Sequence, residues 1–221
     1  MELGMALAGP GYSRVPKTIG ILGAGRVGTA LARQALKAGY EVKLATAKPP
    51  ADIALIAEFT APGAKAVSAE EAAEADIVVL AMPLFRYAQV SPDKLAGRVV
   101  VDAMNYWAPV DGTMPVFEGE ASSSEVVQQH LREARLVRTL NHIGYHELEE
   151  QALPAGHADR QALAIAGDDP EARSIVAGFI DSLGYDPVDA GPLAAARKFS
   201  AGTPIFGSRL KRDELQKLLA A

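Results

Sequence analysis

The sequence predicts an α/β protein in which a parallel sheet is wrapped by helices, and three observations carry that expectation. Short β-branched runs alternate with segments whose apolar residues recur at helical spacing. The first run leads directly into a glycine-spaced turn that opens a helix. Helix-start signals then recur along the chain. At 221 residues the chain suits one integrated α/β domain or a main domain with a small appendage.

The elements follow in order. "TIGIL" (18–22) is the first strand, and Val27, Ala30, Leu31, Ala35 and Ala38 then mark one face of a helix that Gly39 ends. "EVKLAT" (41–46) and "KAV" (65–67) are the second and third strands. "SAEE" (68–71) offers a hydroxyl N-cap with a glutamate three residues on, so the first backbone N–H groups are satisfied reciprocally. "DIVVLAM" (76–82) and "RVVVDAM" (98–104) are the fourth and fifth strands, followed by the longest loop, "NYWAPVDGTMPVFEGEASS" (105–123). "SSSE" (122–125) repeats the capping signal before "RLVRTL" (135–140), and "QALAIAG" (161–167) and "DPVDAG" (186–191) complete the set of strands. Between those two, Asp169 and Pro170 open a helix that buries Ile175, Val176, Phe179, Ile180 and Leu183. The tail "RLKRDELQKLL" is an amphipathic helix packed through Leu210, Leu215, Leu218 and Leu219. Residues 1–16 are expected to be a flexible extension, 17–142 the nucleotide-binding domain, and 143–221 a small lobe completing a second cleft.

Composition bounds the chemistry. A net charge of −5 recruits neither nucleic acid nor an acidic membrane surface, so an anion needs a local site. The sequence has no cysteine, which removes disulfides, thiol nucleophiles and thiolate metal sites and fits a cytoplasmic protein. "MELGMALAGP" is too short to span a bilayer and lacks a basic leader.

"GAGRVG" places Gly23, Gly25 and Gly28 in a G-x-G-x-x-G pattern between strand and helix. There the first glycine makes the tight turn, the second admits a pyrophosphate and the third lets helix and strand pack, which is the fingerprint of a Rossmann-type doubly wound sheet. The phosphates lie on the N–H groups of Ala24 to Gly28 at the positive end of the helix. An NAD site usually has an acid about 20 residues beyond the glycines. "LATAKPP" has none there, while Thr46, Ala47 and Lys48 offer a hydroxyl and a cation suited to the 2′-phosphate of NADP. Ala81, Met82 and Pro83, with Ala103 and Asn105, end the fourth and fifth strands at the crevice, where they contact the ribose and nicotinamide. A core role for Met82 and a turn-closing role for Asn105 are the structural alternatives. Tyr106 and Trp107 either line an aromatic-ring site or pin the long loop.

"NHIGYHELEE" sets His142 and His146 four residues apart, but Gly144 intervenes and no third ligand stands at a recognisable spacing, so no metal is expected. No G-x-S-x-G elbow supports a hydrolase triad.

Between Lys17 and Leu193 the chain resembles the NADP oxidoreductases dependent on the deazaflavin coenzyme F420 and their dinucleotide-binding relatives. The resemblance rests on "IGILGAGRVGTALA", the turn at Thr46 to Lys48, "EEAAEADIVVLAMP", "VVVDAMNYW", "GDDPEA" and "DAGPL". It implies Gly23, Arg26, Val27 and Gly28 at the pyrophosphate and Thr46, Ala47 and Lys48 at the 2′-phosphate. Met82 and Pro83 fall beside the nicotinamide ribose, and "LNHIG" (140–144) faces the deazaflavin. Asn141 stands where the family pattern has a histidine, and the tail departs from the longer apolar ending of the archaeal enzymes.

The expected function is direct hydride transfer between NADP(H) and F420 as co-substrate. Asn105, Tyr106, Asn141, His142 and Ile143 form the acceptor pocket. Catalysis comes from apposition of two rings and exclusion of water. No acid is obligatory, with His142 available to assist a ring nitrogen. The alternatives are an NADPH-dependent reductase of a flavin, quinone or other small acceptor, and a non-catalytic NADPH-sensing module. The expected partner is a small-molecule redox co-substrate, with no nucleic acid and no membrane, in a homodimer implied by the resemblance.

Overall fold

The first strand, β1 (Thr18–Leu22), forms where isoleucines alternate with smaller residues, and Ile19 and Ile21 are fully buried. A computed structural model describes residues 16–119 and 121–221, so the expected N-terminal extension falls almost wholly outside the described residues. All the strands legible in the sequence are present. They are β1, β2 (Glu41–Ala45), β3 (Lys65–Ala66), β4 (Ile77–Leu80), β5 (Val99–Asp102), β6 (Arg135–Arg138), β7 (Ala162–Gly167) and β8 (Asp186–Gly191).

They form one eight-stranded sheet in the order β3-β2-β1-β4-β5-β6-β7-β8. Pairing is parallel except between β6 and β7, where Val137 faces Gly167 and Arg138 faces Ala166. The reversal brings the N-terminal end of β7 to the edge where β1, β4, β5 and β6 end. The sheet continues across the boundary expected near residue 142, and residues beyond it supply β7 and β8.

Helices cover both faces. α1 (Arg26–Lys37) ends at Ala38, and Gly39 takes the positive φ of 90° that the exit demands. α2 (Pro50–Thr60), α3 (Ala69–Ala73) and α4 (Pro92–Leu95) follow β2, β3 and β4. In α3 only half of the expected reciprocal cap forms. Ser68 accepts from the Glu71 N–H at 3.1 Å, but the Glu71 carboxylate turns to Lys43 at 3.3 Å. α6 (Ser123–His130) has the complete box between Ser122 and Glu125. The long loop before it holds two short turns, α5 (Ala108–Asp111) and a 3₁₀ turn at Pro115–Phe117. α7 (Glu147–Glu150) lies between β6 and β7, α8 (Pro170–Ser182) starts on Asp169 as cap, and α9 (Arg212–Ala220) buries Leu215.

Alternate strand residues feed different layers, as period-two geometry requires. Ile21, Leu44, Val79, Val101 and Val137 pack in one cluster that reaches Leu163, Phe179 and Ile180. Leu22, Ala45, Leu80, Val100 and Leu136 pack in the other. Each valine, leucine, isoleucine or phenylalanine so withdrawn from water contributes about 1.5–3 kcal/mol, so the core fixes the strand ends from which the site is built.

Candidate functional site

The glycine loop leaves β1 at Leu22, and Gly23 adopts φ +129° while donating its N–H to Ala45 O at 2.8 Å. A side chain there would enter the Ala81 backbone, and a Cβ at Gly28 would overlap the Gly23 carbonyl. Gly25 differs: it caps α1 at an ordinary φ of −82°, and a Cβ on it would meet nothing within 4 Å. The first helical bond runs from Thr29 N to Gly25 O at 2.9 Å. The N–H groups of Arg26, Val27 and Gly28 therefore lie in the turn that a helix leaves without internal partners. No side chain caps them and no acid occupies that turn. The geometry is that of an anion cradle.

This loop forms one wall of a cleft of about 450 Å³. Gly23, Ala24 and Gly25, then Thr46, Ala47 and Lys48, then Ala81, Met82 and Pro83 line it, from the ends of β1, β2 and β4. Thr46 Oγ1 accepts from the Lys48 N–H at 3.0 Å, which fixes the turn and leaves the hydroxyl proton free to donate. Arg26, Val27 and Gly28 do not line the cleft with side chains. Arg26 reaches instead to Tyr145, with its guanidinium carbon 5.8 Å from the ring centroid and Nη1 3.3 Å from the hydroxyl. Ala103 and Asn105 lie at the next strand end, outside this cleft.

Beyond it lies a buried polar chain. Asp102 and Arg138 are register partners at the ends of β5 and β6 and pair at 3.0 Å, almost without solvent contact. Burial lowers the Arg138 pKa, and Asp102 acts in the opposite direction. Asp102 also accepts from Ser124 Oγ at 2.7 Å and Met104 N at 3.0 Å. Arg138 donates to the Met104 carbonyl and to Asn105 Oδ1, the latter at 3.0 Å. Asn105 Nδ2 donates to Asn141 O at 2.7 Å, and Asn141 Nδ2 donates to Phe199 O at 2.9 Å. Leu140, just before, takes φ 63°, the one left-handed non-glycine among the described residues.

His142 ends this chain, and it corrects an expectation. Nε2 accepts from Ala164 N at 3.0 Å, so Nδ1 carries the proton and donates to Asn141 Oδ1 at 3.1 Å. Burial, followed by the Arg138 charge, pushes its pKa down to about 3. A neutral imidazole with both nitrogens engaged inside the protein gives no proton to an acceptor ring. Tyr106 is also displaced from the expected pocket. Its hydroxyl donates to Glu118 and accepts from Met114 N at 2.9 Å, pinning the long loop, while its ring lies against Phe117. Asn105 closes the turn between strands, and Asn141 is buried. Ile143 is half-buried against the core. These residues thus do not converge on an open pocket as free side chains. His146 lies tilted against Tyr145, and no cluster of three or more metal-ligating side chains occurs among the described residues.

Residues 18–106 match the family described as NADP oxidoreductase, coenzyme F420-dependent. The fold superposes on that of the hypothetical protein SMa0349 from Sinorhizobium meliloti with a TM-score of 0.76 and 30% identity, covering 90% of this chain and 96% of that one. The chain belongs to this F420-dependent oxidoreductase family. A candidate F420-dependent NADP-reductase from Arthrobacter sp. FB24 superposes at 0.72 with 26% identity, over 89% of this chain and 100% of that one. Rat metalloreductase STEAP3 is 29% identical over 198 residues, which are 86% of this chain and 37% of that protein's length. Family membership makes the protein an NADP-dependent oxidoreductase with a Rossmann-type fold. No helix among the described residues is long and apolar enough to cross a membrane.

Sequence reasoning missed several residues that line the cleft. Ile53, Arg86 and Lys94 line the cleft from α2, the turn after β4 and α4, and nothing periodic marks them. The Asp102–Arg138 pair had a signal: "VVVD" and "RLVR" each end an apolar run with a charge, and two adjacent buried strands can retain such charges only as partners.

Proposed function

We propose that the protein transfers a hydride between NADP(H) and a deazaflavin of the F420 class. The observation that carries the cofactor half is the cleft itself, in which uncapped helix N–H groups face open space at Gly25 and the end of β2 presents Thr46 and Lys48 without an acid. A dinucleotide fits this donor set, with its pyrophosphate on the N–H groups of Ala24 to Gly28 and its 2′-phosphate at Thr46, Ala47 and Lys48. Ala81, Met82 and Pro83 continue the wall toward the nicotinamide ribose.

When bound, NADPH supplies the hydride. The chain's own contribution is to hold the ring, keep its face open to a second planar ring and exclude water at about 3–3.5 Å separation. The reduced ring nitrogen takes its proton from solvent once the hydride has passed, so no protein acid is required, which agrees with the engaged state of His142. On this reading residues 143–221 complete the acceptor side, and the protein works in the cytoplasm as a homodimer. The likeness to a metalloreductase favours, as a second reading, transfer to a flavin or another small acceptor.

The deciding experiment supplies NADPH deuterated on its transferred face with F420, riboflavin or a simple quinone. The main reading expects fast transfer to F420 with the label retained on the reduced ring. Preference for riboflavin or quinone establishes the second reading, and tight binding of NADPH without transfer to any acceptor overturns both.

A further inference from the structure

The cleft carries more positive charge than the β2 turn alone provides. Lys48, Arg86 and Lys94 all line it, with Glu70 as the one acid in the lining. Hydrogen bonds from its own backbone and from Ser68 hold the Glu70 carboxyl below its usual range, and the Lys94 charge adds to the effect. Lys94 is thus offset by a neighbouring carboxylate. Among the described residues neither Lys48 nor Arg86 has a carboxylate within ion-pair distance. In a chain of net charge −5, two such cations facing one cleft form a local site for a dianion.

Their placement is complementary. Lys48 follows β2 and Arg86 lies in the 3₁₀ turn Leu84–Gln89 after β4, and these strands are the two neighbours of β1 in the sheet. The two cations therefore stand on opposite sides of the glycine loop. The Arg86 guanidinium carbon lies 5.5 Å from the centroid of the Phe85 ring, so the fork is supported by an aromatic face. A planar fork with several donors binds a phosphate monoester in two places, whereas a lysine meets it as a point charge.

We infer that Arg86 is a second determinant of NADP specificity, closing on the 2′-phosphate from the β4 side while Thr46 and Lys48 hold it from the β2 side. This rests on the NADP reading above and adds a residue that neither the glycine motif nor the β2 turn reveals. The NADP preference is then divided between two loops, and the 2′-phosphate tethers them across the adenosine.

The test measures dissociation constants of NADPH, NADH, 2′,5′-ADP and 5′-AMP by calorimetry for the wild type, Arg86→Gln, Arg86→Lys and Lys48→Glu. Arg86 is exposed, so Arg86→Gln should melt with the wild type. Arg86→Gln should weaken NADPH and 2′,5′-ADP about 10- to 100-fold, the scale of hydrogen bonds to charged groups, with NADH and 5′-AMP within about twofold. Arg86→Lys should recover part of the loss, and Lys48→Glu should lose NADPH at least as strongly. Equal losses for phosphorylated and unphosphorylated ligands, or no loss for either, would overturn the assignment of Arg86. Wild-type protein that binds NADPH and NADH equally would instead overturn the NADP reading on which it rests.

Discussion

His142 shows how one side chain can look catalytic in a sequence and be structural in the fold. Its ring is buried against Phe199, with centroids 5.0 Å apart, and its two nitrogens bridge Asn141 and the β7 backbone. That bridge lies beside the one antiparallel joint of the sheet among the described residues. The pKa pushed down to about 3, from an ordinary 6.5, has a consequence for stability. Below pH 6.5 the unfolded chain takes up a proton on this imidazole, and the native state does not until about pH 3. The unfolded state binds more protons throughout that window, so the stability contributed by His142 is complete above 6.5 and is lost as the pH falls toward 3. The slope from one such group is at most about 1.4 kcal/mol per pH unit. Denaturant unfolding of the wild type and His142→Gln, followed from pH 7 to pH 4, should give a flatter profile for the variant. Parallel profiles would show that the native imidazole titrates normally.

At the level of elements, α1 does most to shape the proposed binding site, because its N-terminus is the proposed anion cradle. Gly25→Val separates binding from folding. The position has an ordinary backbone conformation and open space, so valine is tolerated sterically in the free protein, yet its side chain fills the volume a pyrophosphate needs. NADPH affinity should fall below detection in calorimetry while the melting temperature of the free protein stays within a few degrees. Retained affinity would refute the cradle. This element was legible in the sequence because every cue is local: strand, glycines and helix follow within a few residues. The strands were legible for the same reason, since a buried strand announces itself by its own composition. The direction of β7 was not, because the turn 139–161 carries no helical crossover pattern and its reversal depends on Arg138, Asn141 and His142 meeting residues far along the chain. Arg86 and Tyr145 escaped notice likewise. Each acts through a neighbour brought close only by the fold.

On the scale of the whole molecule, the sheet's change of direction at β6 and β7 does not interrupt its core. One cluster joins Ile19 and Leu44 near the glycine loop to Leu163, Phe179 and Tyr185 beyond residue 142. α1 is also clasped from the C-terminal side. Arg33 grips Glu149 through two bonds of 2.5 and 2.7 Å, and Gln34 donates to Leu183 O at 3.3 Å. The helix that carries the cradle therefore cannot release its inner face without opening the region around α7 and α8. Such sharing predicts a single unfolding transition, coincident by circular dichroism and by fluorescence of the lone Trp107, which sits half-exposed after β5. Ligand linkage sharpens the test. NADPH at about 100 times its dissociation constant stabilises the native state by about 2.7 kcal/mol. For a chain of this size that is a rise of roughly 5–10 °C in melting temperature, and here it should move the entire transition. If NADPH shifted one phase of a biphasic melt and left a second in place, residues beyond 142 would unfold independently, and the acceptor side of the cleft would belong to a separately stable lobe.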